Sequence, residues 1–217
     1  MAPDADLIYH ARMSENRADS VETHGEPLEA QEGVPDAALD QELLARRREA
    51  LKNVRQFGDP ILRSQTRAVE KFGDTLRAEA ERMVALMNDA LGIGLAAPQV
   101  GSARRLLVYQ VGSQRPVALA NPKIEWTSSD QEEFQEGCLS LPGVEVDIER
   151  PVHVRVTAQD VDGNLLRIEA SGLEARVIQH EMDHLDGVLI IDRASRDQRK
   201  AALQALREAE ADTGYAA

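Results

Sequence analysis

Residues 178–187 read IQHEMDHLDG, and within them His180, Glu181 and His184 keep the spacing His-Glu-x-x-His. This stretch constrains the fold more than any other. On a helix turning about 100° per residue, the two imidazoles fall on the side of Leu173 and Val177, with Glu181, Ile178 and Leu185 adjoining. Arg176, Gln179, Asp183 and Asp186 fall on the opposite side. A fold that buries the apolar stripe therefore buries two imidazoles and a carboxylate with it, which costs several kcal/mol unless they find partners. A metal ion is one such partner. By accident the motif arises in on the order of one chain in a few hundred of this length, and its inward facing makes accident a poorer explanation.

The elements around it set the fold class. DTLRAEAERMVALMNDALG carries Leu76, Ala80, Met83, Val84 and Met87 on one helical face, with Asp74 as the expected N-cap and Gly92 as the expected residue past the C-terminus. RRLLVYQV, RPVALANPKIEW, HVRVTAQD and NLLRIEASG read as strands, the last two joined at Val161-Asp162-Gly163 by a hairpin signal. GLEARVIQHEMDHLDG reads as the metal-motif helix, and SRDQRKAALQALREAEAD as a last one. Strands and helices do not alternate as βαβ. The expectation is an α+β fold, with antiparallel β-sheets packed around a central HExxH helix and a helix at each end. Residues 1–40 form an acidic stretch poor in large apolar residues, expected to be a disordered tail. The helix of DQELLARRREALKNV opens a catalytic domain over 41–195, and 196–217 make a C-terminal helix and tail.

Charge and cysteine count narrow the partners. The 217 residues carry a formal net charge of −13, which repels DNA and anionic membrane surfaces. No apolar run approaches the length of a membrane-spanning helix, and the first twenty residues have no secretory apolar core. The single cysteine, Cys138, fits a reducing cytosol.

A catalytic metal needs a third protein ligand. The five histidines are His10, His24, His153, His180 and His184, so no further histidine follows the motif. Glu208 and Glu210 are available by count but lie in a polar stretch, and His153 opens a strand. Cys138, in EEFQEGCLSLPG, remains. A thiolate with two imidazoles is a soft tetrahedral set that leaves one open position. Gly137 lets the backbone approach closely, and the Leu139 N–H is placed to donate to a ligand. A third segment, Gly92-Ile93-Gly94-Leu95-Ala96-Ala97-Pro98-Gln99, also brings main chain close to something and ends on an amide. Read alone, it is equally a compact turn between helix and strand.

Together GIGLAAPQ at 92–99, EGCLS at 136–140 and QHEMDH at 179–184 resemble the three motifs of the peptide deformylase family, in that order. The resemblance spans roughly residues 52 to 195 and leaves out the acidic tail. It implies hydrolytic removal of the formyl group from N-formylmethionyl nascent peptides. It implies Cys138, His180 and His184 as ligands of one divalent metal, Fe²⁺ by preference, with Zn²⁺, Ni²⁺ or Co²⁺ able to take its place. Glu181 would move the proton, and Gln99 with the Leu139 N–H would stabilise the oxyanion. An apolar pocket for methionine would be lined by Ile93, Leu139, Val177 and His180, with Gly94 and Gly137 offering backbone to the peptide. Arg150 and Asp183 would pair and tie the cysteine segment to the metal helix. Ser140 would brace its turn. The C-terminal helix, with Arg196, Arg199, Lys200 and Arg207, could touch the ribosome, and a formylating translation system points to bacterial cytoplasm.

Glu145 and Asp147 are acidic where many relatives are basic or neutral, which bears on how the peptide beyond methionine is held. Two rivals remain. One is a metalloendopeptidase with a different third ligand. The other is an inactive binding module, which the presence of Glu181, Gln99 and Cys138 argues against.

Overall fold

The structure, a computed structural model, describes residues 36–213. The acidic stretch expected to be a tail lies outside the described residues as far as residue 35. Helix α1 spans Asp36–Leu51, starting before the boundary at 40. Helix α2 spans Asp74–Asp89 and buries Leu76, Ala80, Met83 and Met87. Full burial of a side chain such as Leu76 or Met87 contributes roughly 1.5–3 kcal/mol, so this stripe anchors the helix. Both expected caps of α2 shift by one residue. Gly73, at φ 100°, is the N-cap and Asp74 the first helical residue. At the other end Leu91, not Gly92, takes the left-handed conformation, at φ 57°. The Gly92 N–H bonds back to the Met87 carbonyl, and the Leu91 N–H to that of Asn88, which closes a Schellman motif. Gly92 is small for another reason: a Cβ there would lie 2.8 Å from Leu139 Cδ1.

Strands β1 (Gly94–Ala96), β2 (Leu106–Tyr109), β3 (Val117–Thr127), β6 (His153–Gln159) and β7 (Leu165–Ser171) form one antiparallel sheet in the order β1-β2-β3-β6-β7. The β6–β7 turn is held by Asp160, whose Oδ1 accepts the N–H groups of Asp162 and Asn164, while Gly163 takes φ 88°. A second, two-stranded sheet pairs β4 (Gln131–Cys138) with β5 (Leu141–Pro151). This hairpin is absent from the strands expected from sequence, although Val144, Val146 and Ile148 alternate along β5 and are buried.

Helix α3 (Gly172–Leu185) lies at the centre. Alternate residues of β2 serve the two faces of the large sheet: Leu107 and Tyr109 pack with Ile178, Met182 and Leu185 of α3, and Leu106 and Val108 with α2. The β4–β5 hairpin closes over a third cluster with Leu189, Ile190 and Ile191, from short helix α4 (Ile190–Arg193) and the residue before it, and with Ala202 and Leu206 of α5 (Arg196–Thr213). Being covered on several sides, α3 buries most of its polar side chains as well: Arg176, Gln179 and Asp183 are buried, and Asp186 alone of the four is exposed. Their partners come from β4, β5, the helix's own backbone and α4.

Candidate active site

Cys138 is the last residue of β4. The register jumps from Gly137↔Glu145 to Cys138↔Leu141 at this point, with Gly143 at φ 75° in the looped-out part of β5. Such an irregularity re-aims a side chain, and here Cys138 faces α3. Its Sγ and one nitrogen from each of His180 and His184 lie within 4.8 Å of one another. Sγ is 3.2 Å from His184 Nε2. Neighbouring ligand atoms around a tetrahedral metal with bonds of about 2.0–2.3 Å stand about 3.3–3.8 Å apart, so the widest pair would close by roughly 1–1.5 Å around an ion. His153 is exposed at the start of β6 and Glu208 is exposed on α5, where it accepts from Gln204, so neither joins the set.

The electrostatics of the two imidazoles differ. Burial, with the charges of His180, Arg150 and Arg63 behind it, holds His184 well below its ordinary pKa, neutral and able to offer a lone pair. Burial also works against a charged His180, but Cys138 and Glu136 outweigh it and raise its pKa well above the ordinary value. That corner of the site therefore favours positive charge.

Glu181 sits beside these groups with Oε2 buried and without a hydrogen-bond partner among the described residues. Burial pushes its carboxyl up to about 7. It rests on Gly94, where an added Cβ would come 2.8 Å from Glu181 Cδ and into contact with Oε1. Gln99 lies on the 3-10 turn Ala97–Val100 and is buried. Its Oε1 accepts the Ala96 N–H at 2.8 Å, which turns the amide NH₂ towards Ser140 Oγ at 3.2 Å and Cys138 Sγ at 3.8 Å. The three motif segments thus meet at one place, and a fourth braces them. The Arg55 N–H donates to the Gln99 carbonyl at 2.7 Å, the Phe57 N–H to the Ser140 carbonyl at 2.8 Å, and Gln56 Nε2 to the Leu139 carbonyl at 3.3 Å.

The sequence profile of the family described as Polypeptide deformylase matches residues 51–200. The chain belongs to this polypeptide deformylase family. Among its relatives is the peptide deformylase of Thermotoga neapolitana, 49% identical over 146 residues, covering 67% of this chain and 88% of that protein. That of Dictyoglomus thermophilum is 43% identical over 150 residues, covering 69% and 97%. Among solved structures, the Thermotoga maritima peptide deformylase superposes with a TM-score of 0.64 at 47% identity, covering 65% of this chain and 96% of the other. The Synechococcus elongatus enzyme in complex with actinonin gives 0.66 at 45% identity, covering 75% and 88%.

Within this deformylase site, Ile93 is half-buried beside the cluster that holds the buried Val177, and Gly137 faces Glu145 across the hairpin. Asp147 is exposed and accepts from Gln198 Nε2 at 2.7 Å. Arg150 Nη1 donates to Asp183 Oδ2 at 2.9 Å, and Arg193 of α4 forks onto the same carboxylate through Nε and Nη2. Sequence reasoning missed Glu136 and Arg176. Glu136 Oε2 is 2.9 Å from His180 Nδ1, and both carboxylate oxygens accept from Arg150. Burial works to raise the Glu136 pKa, but the bonds from His180 and Arg150 hold it well below the usual carboxylate range. An ionised partner on Nδ1 fixes the ring and leaves Nε2 for a metal. The available signal was position: Glu136 stands two residues before Cys138 on the same strand face, and Arg176, four residues before His180, turns only about 40° from it around the helix, so it adjoins the histidines and does not oppose them as expected.

Proposed function

We propose that this chain removes the formyl group from N-formylmethionyl nascent peptides, using one divalent metal held by Cys138, His180 and His184, with Fe²⁺ the ion used in the cell. The observation that carries the reading is the convergence of those three ligand atoms within 4.8 Å, with Glu181 alongside. When bound, the metal supplies Lewis acidity and lowers the pKa of water. The donor set of thiolate and imidazoles suits several ions, so availability decides among Fe²⁺, Zn²⁺, Ni²⁺ and Co²⁺.

Glu181 takes the proton of the attacking water and passes it to the departing nitrogen, a task suited to a carboxyl poised near neutrality. The Gln99 amide and the Leu139 N–H donate to the oxyanion on the formyl oxygen. The carbon–nitrogen bond breaks, giving formate and a free amine. Ile93, Leu139, Val177 and the flank of His180 receive the methionine side chain. The peptide lies along β1, the terminal strand of the sheet, with Gly94 and Gly137 offering it backbone. The catalytic unit is residues 41–195, and 196–217 are the C-terminal helix and tail, with Ala202 and Leu206 of α5 packed under the β4–β5 hairpin. Its exposed Arg196, Arg199, Lys200 and Arg207 are the groups we assign to ribosome contact. Among the described residues no helix is long and apolar enough to cross a membrane. With bacterial relatives such as those above, we place the protein in bacterial cytoplasm.

The test is formate release from formyl-Met-Ala-Ser by protein purified without oxygen and supplied with Fe²⁺ or Ni²⁺, with Glu181→Ala as the blank. Metal-dependent formate that disappears in the variant supports the reading. Metal-loaded, folded protein that releases none overturns it in favour of a binding module.

A further inference from the structure

We infer that Arg176 is a positioning residue for the metal ligands. It sets the hairpin that carries Cys138 in register with the helix that carries His180 and His184, and it fixes the carboxylate that orients His180. The inference rests on the metal-site reading above.

Arg176 is buried, one turn before His180 on α3. Its Nη1 donates to Glu136 Oε1 at 2.8 Å and to the Ile148 carbonyl at 3.0 Å, and its Nη2 to the Glu132 carbonyl at 2.6 Å. One guanidinium thus grips the backbone of both hairpin strands, β4 at Glu132 and β5 at Ile148, while Phe134 lies against it with 5.7 Å from the guanidinium carbon to the ring centre. Only a planar fork with several N–H donors can make these bonds at once. A lysine is a point charge with fewer directions.

The consequence reaches the metal through Glu136. Its Oε1 accepts from Arg150 Nε and Arg176 Nη1, and its Oε2 faces Arg150 Nη2 and His180 Nδ1. Two partners on each oxygen leave the carboxylate no freedom to rotate. Removing Arg176 frees one of those positions and takes away one of the ties between the Cys138 hairpin and α3, so Cys138 loses part of its placement against His180 and His184. Loss of a group that orients a metal ligand weakens metal binding by about 10–100-fold.

The test uses the full chain stripped of metal and titrated with Co²⁺ against a competing chelator, following the thiolate–Co²⁺ absorption band. We expect Arg176→Met to weaken Co²⁺ binding about 10–100-fold and to alter the band, with Arg176→Lys showing a smaller loss. A purely structural role would lower the unfolding midpoint yet leave the affinity and band of the folded protein unchanged. Both variants binding Co²⁺ within about 2-fold of wild type, with the same band, would overturn the inference. If Arg176→Met does not fold, Arg176→Lys decides by the same criterion. Cys138→Ala separates the two levels. If it leaves the band intact, the metal-site reading itself fails and the inference with it. If it abolishes the band while the Arg176 variants behave as wild type, only the inference fails.

Discussion

The Glu181 carboxylate rests directly on Gly94, so closely that any β-carbon at residue 94 would fall within the van der Waals shell of the acid. The glycine is therefore part of the acid's binding site. Gly94→Ala has to push Glu181 aside, and displacement of about 1 Å at a reacting group costs on the order of 100-fold in rate. We predict that loss in kcat for formate release with metal content unchanged. Near-wild-type kcat in Gly94→Ala would show that the acid has room elsewhere.

In the proposed mechanism Glu181 contributes to proton transfer and not to metal holding. Glu181→Ala is predicted to lose about 10²–10⁴-fold in kcat while retaining a full complement of metal, because a positioned acid or base is worth that factor. Metal analysis beside the kinetics checks it. Loss of metal together with activity would make Glu181 a ligand and contradict the assignment.

Acid should expose Glu136. Its carboxyl has a lower pKa in the folded protein than its ordinary value of 4.5. A depressed folded value means the stabilisation is full above about pH 4.5 and is lost as pH falls towards the folded value. Denaturant unfolding of metal-free wild type and Glu136→Gln, from about pH 6 down to about pH 3, should show a stability gap that is constant at the upper end and narrows below about pH 4.5. A gap that stays constant throughout would place the cause of Glu136's importance elsewhere.

Arg150 bridges Glu136 and Asp183 while almost fully buried. Arg150→Met leaves two carboxylates short of a partner in a dry place, and breaking a buried pair in this way costs about 3–5 kcal/mol. Urea unfolding of the metal-free protein measures this. A cost under about 1 kcal/mol would mean Arg176 and Arg193 compensate.

Much of the site was legible in sequence because its chemistry is carried by short segments. The ligands, Glu181 and Gln99 each stand inside a motif, and the helix spacing alone turned His180 and His184 inward. What sequence concealed was the other side of α3. Asp183 was expected to pair with Arg150, but Arg176 and Gln179 gave no sign of their partners, because hydropathy registers polarity and not partners, and those partners lie on β4, β5 and the helix's own backbone. The β4–β5 hairpin was hidden for a related reason. QEEFQEGC presents mostly polar residues, exposed over its first five positions, and its two buried side chains are a glutamate and a cysteine. Val144, Val146 and Ile148 did alternate and could have revealed β5. At the C-terminus of α2 the left-handed residue is Leu91, while Gly92 faces the Leu139 side chain, and at the N-terminus Gly73, with open space around it, holds the cap at φ 100°.

β1 is three residues long and ends the five-stranded sheet, and the N–H of its last residue is taken by the Gln99 amide. Long bare sheet edges invite other copies of a chain to add on and polymerise. This one is too short to template an unending ribbon of its own kind, so the same brevity that would suit it to a single extended peptide also closes this edge to self-association.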